Sequence, residues 1–193
     1  MPWKNGGGAT IEVCAAPDGS TLENFDWRVS RARIDRSSPF SRFPGVDRTL
    51  VAIDGAGILL RFDGAESVAL SVGDPPLCFA GEAYVESAMV AGPVTELNVM
   101  TRRDRFCHRL TVLTDGRPSR VIAQGGVIMV IVATGRTIIH TVEGQSHLSA
   151  NDAVLLYAGD GAASVAADPG SRLFLIEIGP SDTFSVERSD SRG

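Results

Sequence analysis

The apolar positions of this chain occur in short runs that turn signals separate. Pairs such as Asp54-Gly55 and Asp63-Gly64 stand between the runs, and Gly after Asp is typical of tight hairpin turns. No stretch keeps an apolar period of 3.6 residues through three turns, so little helix is expected. The pattern predicts an all-β fold, either a sandwich or a barrel. The predicted strands are Trp27–Ile34, Leu50–Ile53, Ile58–Phe62, Val68–Val72, Thr111–Leu113, Val127–Val132, Thr137–Val142, Ala153–Tyr157 and Arg172–Ile178.

The chain carries an internal repeat. A gapless shift of 78 residues brings segment 50–100 onto the second half, with nine identities that include Gly57 with Gly135 and Asp74 with Asp152. The same shift aligns Leu70 with Leu148, Ser71 with Ser149, Phe79 with Tyr157 and Leu97 with Leu175. The repeated Leu-x-x-Gly-Asp turn before an apolar strand resembles part of a cupin barrel. We therefore expect a bicupin, with two cupin-type jelly-roll barrels (double-stranded β-helices) at 1–103 and 104–183 and a flexible tail at 184–193.

Composition narrows the class of protein. The chain has 193 residues, is 44% hydrophobic and carries a formal net charge of −5, which disfavours a nucleic-acid binder. The basic cluster of Arg102, Arg103, Arg105 and Arg109 lacks a helix-turn-helix pattern, so a solvated linker between the barrels is expected rather than a DNA contact.

Cysteine usage and hydropathy indicate the compartment. The chain has three cysteines without a C-x-x-C pattern, which disfavours a disulfide framework or a zinc cluster. No apolar run approaches the ~20 residues that span a bilayer, and the first residues lack the apolar core of a signal peptide. We expect a cytoplasmic protein without a membrane partner.

Four strings in the first hundred residues are unusual. They are Met1-Pro2-Trp3-Lys4-Asn5-Gly6-Gly7-Gly8, Phe25-Asp26-Trp27-Arg28-Val29-Ser30, Ser38-Pro39-Phe40-Ser41-Arg42-Phe43-Pro44-Gly45-Val46-Asp47-Arg48, and Phe79-Ala80-Gly81-Glu82 with the later Leu97-Asn98-Val99-Met100. In this order they resemble the HutD/Ves family of bicupins. Members usually carry several residues before the Pro-Trp-Lys-Asn-Gly string, so an earlier native start is expected.

The resemblance implies a regulatory role without catalysis. The family is associated with the histidine-utilisation operon, where it restrains pathway output. It is similar to small-molecule binders, with N-formylglutamate as a suggested ligand, and no established catalytic activity accompanies it.

A metal or another cofactor is not expected. Metal-dependent cupins typically supply a His-x-His pair, a Glu and a later His, whereas this chain has only His108, His140 and His147. The strand with Arg28 and Ser30 contains no His, and the loose His140/His147 pair is interpreted as a strand-end feature.

The candidate site instead suits an anion. Arginine offers a forked guanidinium for a carboxylate, and asparagine offers a donor and an acceptor for an amide or formyl group. Arg28 and Ser30 alternate along a strand, so they point to the same side. Arg48 is expected in a turn-rich loop. The predicted ligand-binding residues are Trp3, Lys4, Asn5, Arg28, Ser30, Arg42, Arg48, Glu82, Asn98 and Met100.

Alternatives stay open at this point. Arg28 could form an internal salt bridge with Glu82, and Trp3 could simply pack in the core. Glu82 could also serve as general base beside Arg28 in a metal-independent isomerase or hydrolase. A third possibility is an interaction module that forms a homodimer.

Overall fold

The all-β prediction is confirmed by the structure, a computed structural model that describes residues 7–114, 116–123 and 125–183. The described part contains strands, turns and loops and no helix. The strands are β1 (Gly8–Ala16), β2 (Trp27–Ile34), β3 (Ser38–Pro39), β4 (Val46–Gly55), β5 (Ile58–Phe62), β6 (Ser67–Leu70), β7 (Leu77–Ala80), β8 (Val85–Met89), β9 (Val94–Arg102), β10 (Phe106–Leu113), β11 (Ser119–Ile122), β12 (Val127–Thr134), β13 (Arg136–Thr141), β14 (Gly144–Ser149), β15 (Ala153–Tyr157), β16 (Ala162–Ala167) and β17 (Arg172–Pro180).

The described residues form two compact units that divide between Arg105 and Phe106. Within those residues, no helix is long and apolar enough to cross a membrane. The predicted flexible tail at 184–193 and the candidates Trp3, Lys4 and Asn5 lie outside the described residues.

The first unit is a barrel of two antiparallel sheets. One sheet has the order β1-β2-β9-β4-β7 and the other β3-β8-β5-β6. Side chains directly opposite one another in an antiparallel pair point to the same face, so the register defines which residues point inward. The apolar interior contains buried residues from both sheets: Ile34, Leu50, Ala52, Ile58, Leu60, Leu70, Val85 and Val94.

The second unit repeats this architecture. Its sheets have the orders β10-β17-β12-β15 and β11-β16-β13-β14. Its core also combines buried residues of both sheets: Val121, Ile128, Val130, Val132, Ile139, Leu156, Ala163, Val165, Leu173 and Leu175.

The structure confirms the internal sequence repeat at the turn that contains Asp74 in the first half and Asp152 in the second. The Ser71 backbone N–H donates to Asp74 Oδ2 at 2.7 Å, and the Ser149 N–H donates to Asp152 Oδ2 at 2.8 Å. These Asp side chains satisfy a backbone donor in the same way in both halves, as is usual for turn Asp residues. The 78-residue offset therefore holds at this turn.

Beyond that turn the gapless offset is wrong. The inward residue Leu77 lies three positions after Asp74, whereas the inward Val154 lies two positions after Asp152. The side-chain period of a strand is two, so one extra residue inverts every face.

Two aligned pairs show the inversion. Phe79 packs against the first core, but Tyr157 is exposed. Leu175 lies in the second core, but Leu97 lies on the opposite face of β9 from the inward residue Asn98. These two alignments of the sequence repeat are therefore wrong.

Candidate functional site

Five of the predicted site residues lie on neighbouring strands of the first barrel. Arg28 and Ser30 are on β2, Arg48 is on β4, and Asn98 and Met100 are on β9. Arg28 and Arg48 each pair with Met100, and Ser30 pairs with Asn98. All five side chains therefore share one face of the sheet, the face that lines the barrel interior.

Arg28, Met100 and Arg48 form one row across the sheet, and Phe79 of β7 continues it beside Arg48. We call these four residues the charged row. The expected loop position of Arg48 is wrong, because this residue lies inside β4.

Arg28 is held by two partners. Its Nε donates to Glu12 Oε2 at 2.7 Å, and its Nη1 donates to Ser30 Oγ at 3.1 Å. The shared face predicted for Arg28 and Ser30 is confirmed. The salt bridge considered between Arg28 and Glu82 is wrong, since the carboxylate comes from β1, a strand that the sequence pattern did not reveal.

Arg48 is a buried cation among aromatic rings. Its guanidinium carbon lies 5.4, 5.5 and 4.9 Å from the ring centres of Phe40, Phe43 and Phe79. Cation–π attraction of this kind stabilises a desolvated guanidinium. Arg48 Nη1 also donates to the Ser41 carbonyl at 3.2 Å, but its Nε finds no acceptor among the described residues.

Burial lowers the pKa of Arg48. Only 5% of the residue is exposed. Desolvation lowers its pKa to about 10, with the nearby positive charge of Arg28 adding to the effect and Glu96 opposing it. A carboxylate from outside the protein would relieve this cost.

Glu96 is a candidate site residue that the sequence analysis missed. It lies on β9, two residues before Asn98 on the same inward face, and is 2% exposed. Desolvation raises its pKa to about 7, with the positive charge of Arg48 opposing the rise. The available signal was the short polar–apolar alternation of residues 96–99, since it predicts a strand with Glu96 and Asn98 on one face.

Two orphaned acceptors face this interior. Neither Glu96 Oε2 nor Asn98 Oδ1 has a hydrogen-bond donor among the described residues. Buried polar atoms are normally satisfied, so such atoms need a water or a ligand. Together with the Nε of Arg48 they leave one donor and two acceptors unsatisfied.

Arg42 and Glu82 belong to a different group. Arg42 is exposed and donates from Nε to the Glu82 backbone carbonyl at 2.8 Å. The Glu82 carboxylate pairs with Arg103 at 3.0 Å, and this hydrogen bond lowers the pKa of Glu82. The structure thus does not bring these two candidates to the charged row.

The basic cluster is not the solvated linker that the sequence predicted. Arg102 ends β9 and donates to the carbonyls of Glu23 at 2.6 Å and Phe25 at 3.1 Å. Arg103 also binds Asp47, with Nε–Oδ1 at 2.7 Å. Arg102 and Arg103 therefore hold loops of the first unit in place, which explains why arginines are frequent at this point of the chain.

The first barrel does not fit the metal set of cupins. The inner face that would carry His ligands carries Arg28, Ser30 and Arg48 instead. No group of three or more His, Cys, Asp or Glu in the described part of the chain could hold a metal ion.

The fold defines the class of this protein. The cupin 2 conserved barrel domain protein from Leptotrichia buccalis superimposes with a TM-score of 0.57 at 12% identity, over 89% of this chain and 88% of that one. The described part of this chain forms two such barrels in sequence, one in each compact unit, so the chain is a bicupin.

Its family follows from closer relatives. The HutD family model matches residues 1–175. Protein Ves from Citrobacter koseri is 35% identical over 130 residues, which are 67% of this chain and 66% of that protein, so the match spans about two thirds of the relative's length. The structure of HutD from Pseudomonas fluorescens SBW25 in a formate condition matches with a TM-score of 0.80 and 30% identity, over 93% of this chain and 92% of that one. The chain belongs to the HutD family, as its motifs predicted, and this family is associated with histidine utilisation.

Proposed function

We propose that the first barrel binds a small carboxylate and that the protein acts without catalysis, as a regulator of histidine utilisation. One observation carries the binding proposal. The buried Nε of Arg48 lacks an acceptor among the described residues, while Asn98 Oδ1 and Glu96 Oε2, on the same interior face, lack donors.

The cation end of this site fits a carboxylate. Arg28 already holds Glu12, so Arg48 is the guanidinium with an unused buried donor. A charge-assisted hydrogen bond from Arg48 to a bound carboxylate would return the electrostatic stabilisation that the guanidinium lost on burial.

The acceptor end fits an N–H group. Asn98 Oδ1 and Glu96 Oε2 would accept hydrogen bonds from an amide of the ligand. A molecule with a carboxylate at one end and a secondary amide at the other satisfies both ends, and N-formylglutamate has this chemistry. The same ligand class is the one that the resemblance to the HutD/Ves family suggested.

Calorimetric titration tests this proposal. N-formylglutamate, urocanate and histidine are titrated into the full chain, and N-formylglutamate is expected to bind. Arg48→Met should weaken binding at least 100-fold, because it removes the charge-assisted contact while keeping an apolar side chain among the phenylalanines.

Arg33→Met is the matched control. Arg33 is an exposed arginine at the other end of β2, where it pairs with Asp35. This variant should bind like the unaltered protein. An absence of heat with all three compounds in folded protein, or equal affinity of Arg48→Met and Arg33→Met, would overturn the proposal.

A second candidate function rests on Glu96. A carboxylate with a pKa of about 7 is suited to act as a general base near neutral pH. The metal-independent isomerase or hydrolase considered from the sequence would therefore use Glu96 rather than the exposed Glu82. Product formation from N-formylglutamate that Glu96→Gln abolishes would favour the enzyme, whereas binding with unchanged ligand after long incubation favours the regulator.

A further inference from the structure

The second sheet of the first barrel also presents a polar side chain to the interior. Ser38 lies on β3 opposite Ser87 of β8, and Ser87 lies opposite Leu60 of β5. Leu60 belongs to the apolar interior, so Ser87 and Ser38 point to the same inward face. Phe40, two residues after Ser38, belongs to that interior as well, in agreement with the alternation of an extended chain.

The hydroxyl of Ser38 is unsatisfied. Its Oγ is buried and has no hydrogen-bond partner among the described residues. The backbone of Ser38, in contrast, is held on both sides, because its N–H donates to Ser87 Oγ at 3.2 Å and its carbonyl accepts from the same hydroxyl at 2.6 Å. Buried hydroxyls normally find a partner. The fold therefore fixes the position of Ser38 without using its hydroxyl.

The path of the chain places Ser38 between two levels of the barrel. The Phe40 ring lies 5.4 Å from the guanidinium carbon of Arg48, so the chain leaves β3 beside that guanidinium. Only residues 35–37 separate β3 from Ile34, which stands opposite Val94 at the other end of the interior face of β9. Ser38 therefore lies between the level of Arg48 and the level of Val94.

Glu96 and Asn98 occupy the same interval on the opposite sheet. Both point inward from β9, four and two residues before Met100, which stands opposite Arg48. Glu96 Oε2 and Asn98 Oδ1 do not bind Ser38 Oγ, since all three atoms lack partners among the described residues. Facing sheets pack about 10 Å apart, so a small molecule between them can contact both sides.

The hydroxyl supplies a donor where β9 supplies acceptors. An ionised carboxylate and an amide oxygen only accept hydrogen bonds, a guanidinium only donates them, and a hydroxyl does both. Once a ligand carboxylate occupies Arg48, the orphaned group of this interior that can donate to a neutral oxygen is Ser38. The site is therefore complementary to a carboxylate, an N–H and a neutral oxygen together.

We propose that Ser38 is a specificity-determining residue of the carboxylate site and that the ligand class is an N-acyl amino acid, an inference that rests on the function proposed above. The ligand carboxylate binds Arg48, its amide N–H faces the acceptors of β9, and its acyl oxygen accepts a hydrogen bond from Ser38 Oγ. Ser38 thus distinguishes an acylated amine from a free amine or an unsubstituted acid.

N-formyl-L-glutamate and glutarate form a matched pair of probes, because glutarate keeps both carboxylates and lacks the formylamino group. Each is titrated into the full chain at pH 8, above the pKa of about 7 of Glu96, so that this carboxylate is an acceptor. NMR follows the backbone amide of Asn98, which makes millimolar affinities measurable. N-formyl-L-glutamate should bind at least 10-fold more tightly than glutarate.

Ser38→Ala removes the proposed donor and breaks no side-chain hydrogen bond among the described residues. It should weaken the binding of N-formyl-L-glutamate about 10-fold, since the acyl oxygen is left buried without a donor, and leave that of glutarate within twofold. Ser37→Ala is the matched control. Its hydroxyl accepts from the Met89 N–H at 3.1 Å and so has a structural role, and its loss should leave the ratio of the two affinities unchanged.

The outcomes separate this inference from the proposed function. Shifts from neither probe would overturn the carboxylate site and the role of Ser38 together. Binding that Arg48→Met weakens and Ser38→Ala does not would overturn the role of Ser38 alone. Equal affinity of the unaltered protein for both probes, or an equal loss of both in Ser38→Ala, would do the same, because neither result depends on the acyl oxygen.

Discussion

Arg48 and Glu96 point into the same barrel interior and influence each other's ionisation, yet no ion pair joins them. Arg48 lies opposite Met100, and Glu96 lies four residues before Met100 on the same strand. The charge of each favours the ionised form of the other, while burial disfavours both ionised forms. A ligand that contacts both groups would therefore offset part of the cost of burying them.

The stability of the protein should fall as the pH rises from 5 to 8. Glu96 has an ordinary pKa of 4.5 when unfolded and about 7 when folded. Between these values the folded state holds a proton that the unfolded state has released, so raising the pH favours unfolding. The contribution is complete below pH 4.5 and is lost as the pH passes 7, with an expected loss of at most about 3 kcal/mol in the free energy of unfolding.

Urea unfolding at pH 5, 6, 7 and 8 measures this slope, and two variants assign it. Glu96→Gln should flatten the slope, because the buried group no longer titrates. Glu86→Gln removes an exposed carboxylate that binds Arg61 and should leave the slope unchanged. A Glu96→Gln protein with the slope of the unaltered chain would show that another group is responsible.

Arg48→Met should separate binding from stability. The substitution loses a hydrogen bond to Ser41 and the contacts with three phenylalanine rings, but it also removes a buried charge without a described anionic partner at hydrogen-bond distance. Replacing a whole buried ion pair or network by apolar groups is often neutral or stabilising by about 1–4 kcal/mol, and removing a buried guanidinium that has no hydrogen-bonded anion should likewise offset part of the lost contacts. We expect the free energy of unfolding in urea to fall by no more than about 1 kcal/mol, and a larger loss would mean that Arg48 mainly supports the fold.

Gly8→Ala should destabilise the first barrel by about 1–3 kcal/mol, since overpacking against backbone forces the strands apart. A Cβ on Gly8 would lie 2.1 Å from the Arg33 carbonyl oxygen on the paired strand. Gly159→Ala is the matched control, because its added methyl meets no atom within 4 Å. Thermal unfolding should give a clearly lower midpoint for Gly8→Ala and a nearly unchanged one for Gly159→Ala; similar midpoints would contradict the close approach.

Arg102→Gln should cost about 2 kcal/mol of stability, as hydrogen bonds to a charged donor contribute about 1.5–3 kcal/mol each and the site is partly exposed. Its guanidinium holds the carbonyls of Glu23 and Phe25 and stacks on the Phe25 ring. Arg103→Gln, which breaks exposed ion pairs with Asp47 and Glu82, should cost less than about 1 kcal/mol. Hydrogen exchange at residues 23–26 should accelerate only in Arg102→Gln, and equal exchange in both variants would contradict this role.

Periodicity predicted the strands that are apolar or regularly alternating. Trp27–Ile34, Ile58–Phe62 and Ala153–Tyr157 have the predicted bounds. Strand β9 (Val94–Arg102) was missed because its inward positions include Glu96 and Asn98, so its apolar pattern breaks where the site is built. Strand β14 (Gly144–Ser149) was missed because it is mostly exposed and polar.

The sequence predicted those features of the candidate site that depend on residues close together in the chain. The common face of Arg28 and Ser30 follows from their spacing along one strand. The partner of Arg28 did not follow, because Glu12 reaches it through the pairing of β1 and β2, which the residue pattern alone does not reveal. The chemistry of Glu96 required the same long-range information, since its pKa depends on burial and on Arg48.

The extra residue that follows Asp74 sets a rule for engineering the duplicated fold. A graft that transferred β9 onto β17 at a constant offset of 78 would place Glu96 at the position of Phe174, whose neighbours Leu173 and Leu175 are the inward residues. The transplanted carboxylate would then leave the interior, and Thr95 and Leu97 would take the inward positions of Leu173 and Leu175. Offsets of 80 for β4 and 77 for β9, which keep the register shifts aligned, would carry the arginine and the carboxylate together into the interior of the second barrel.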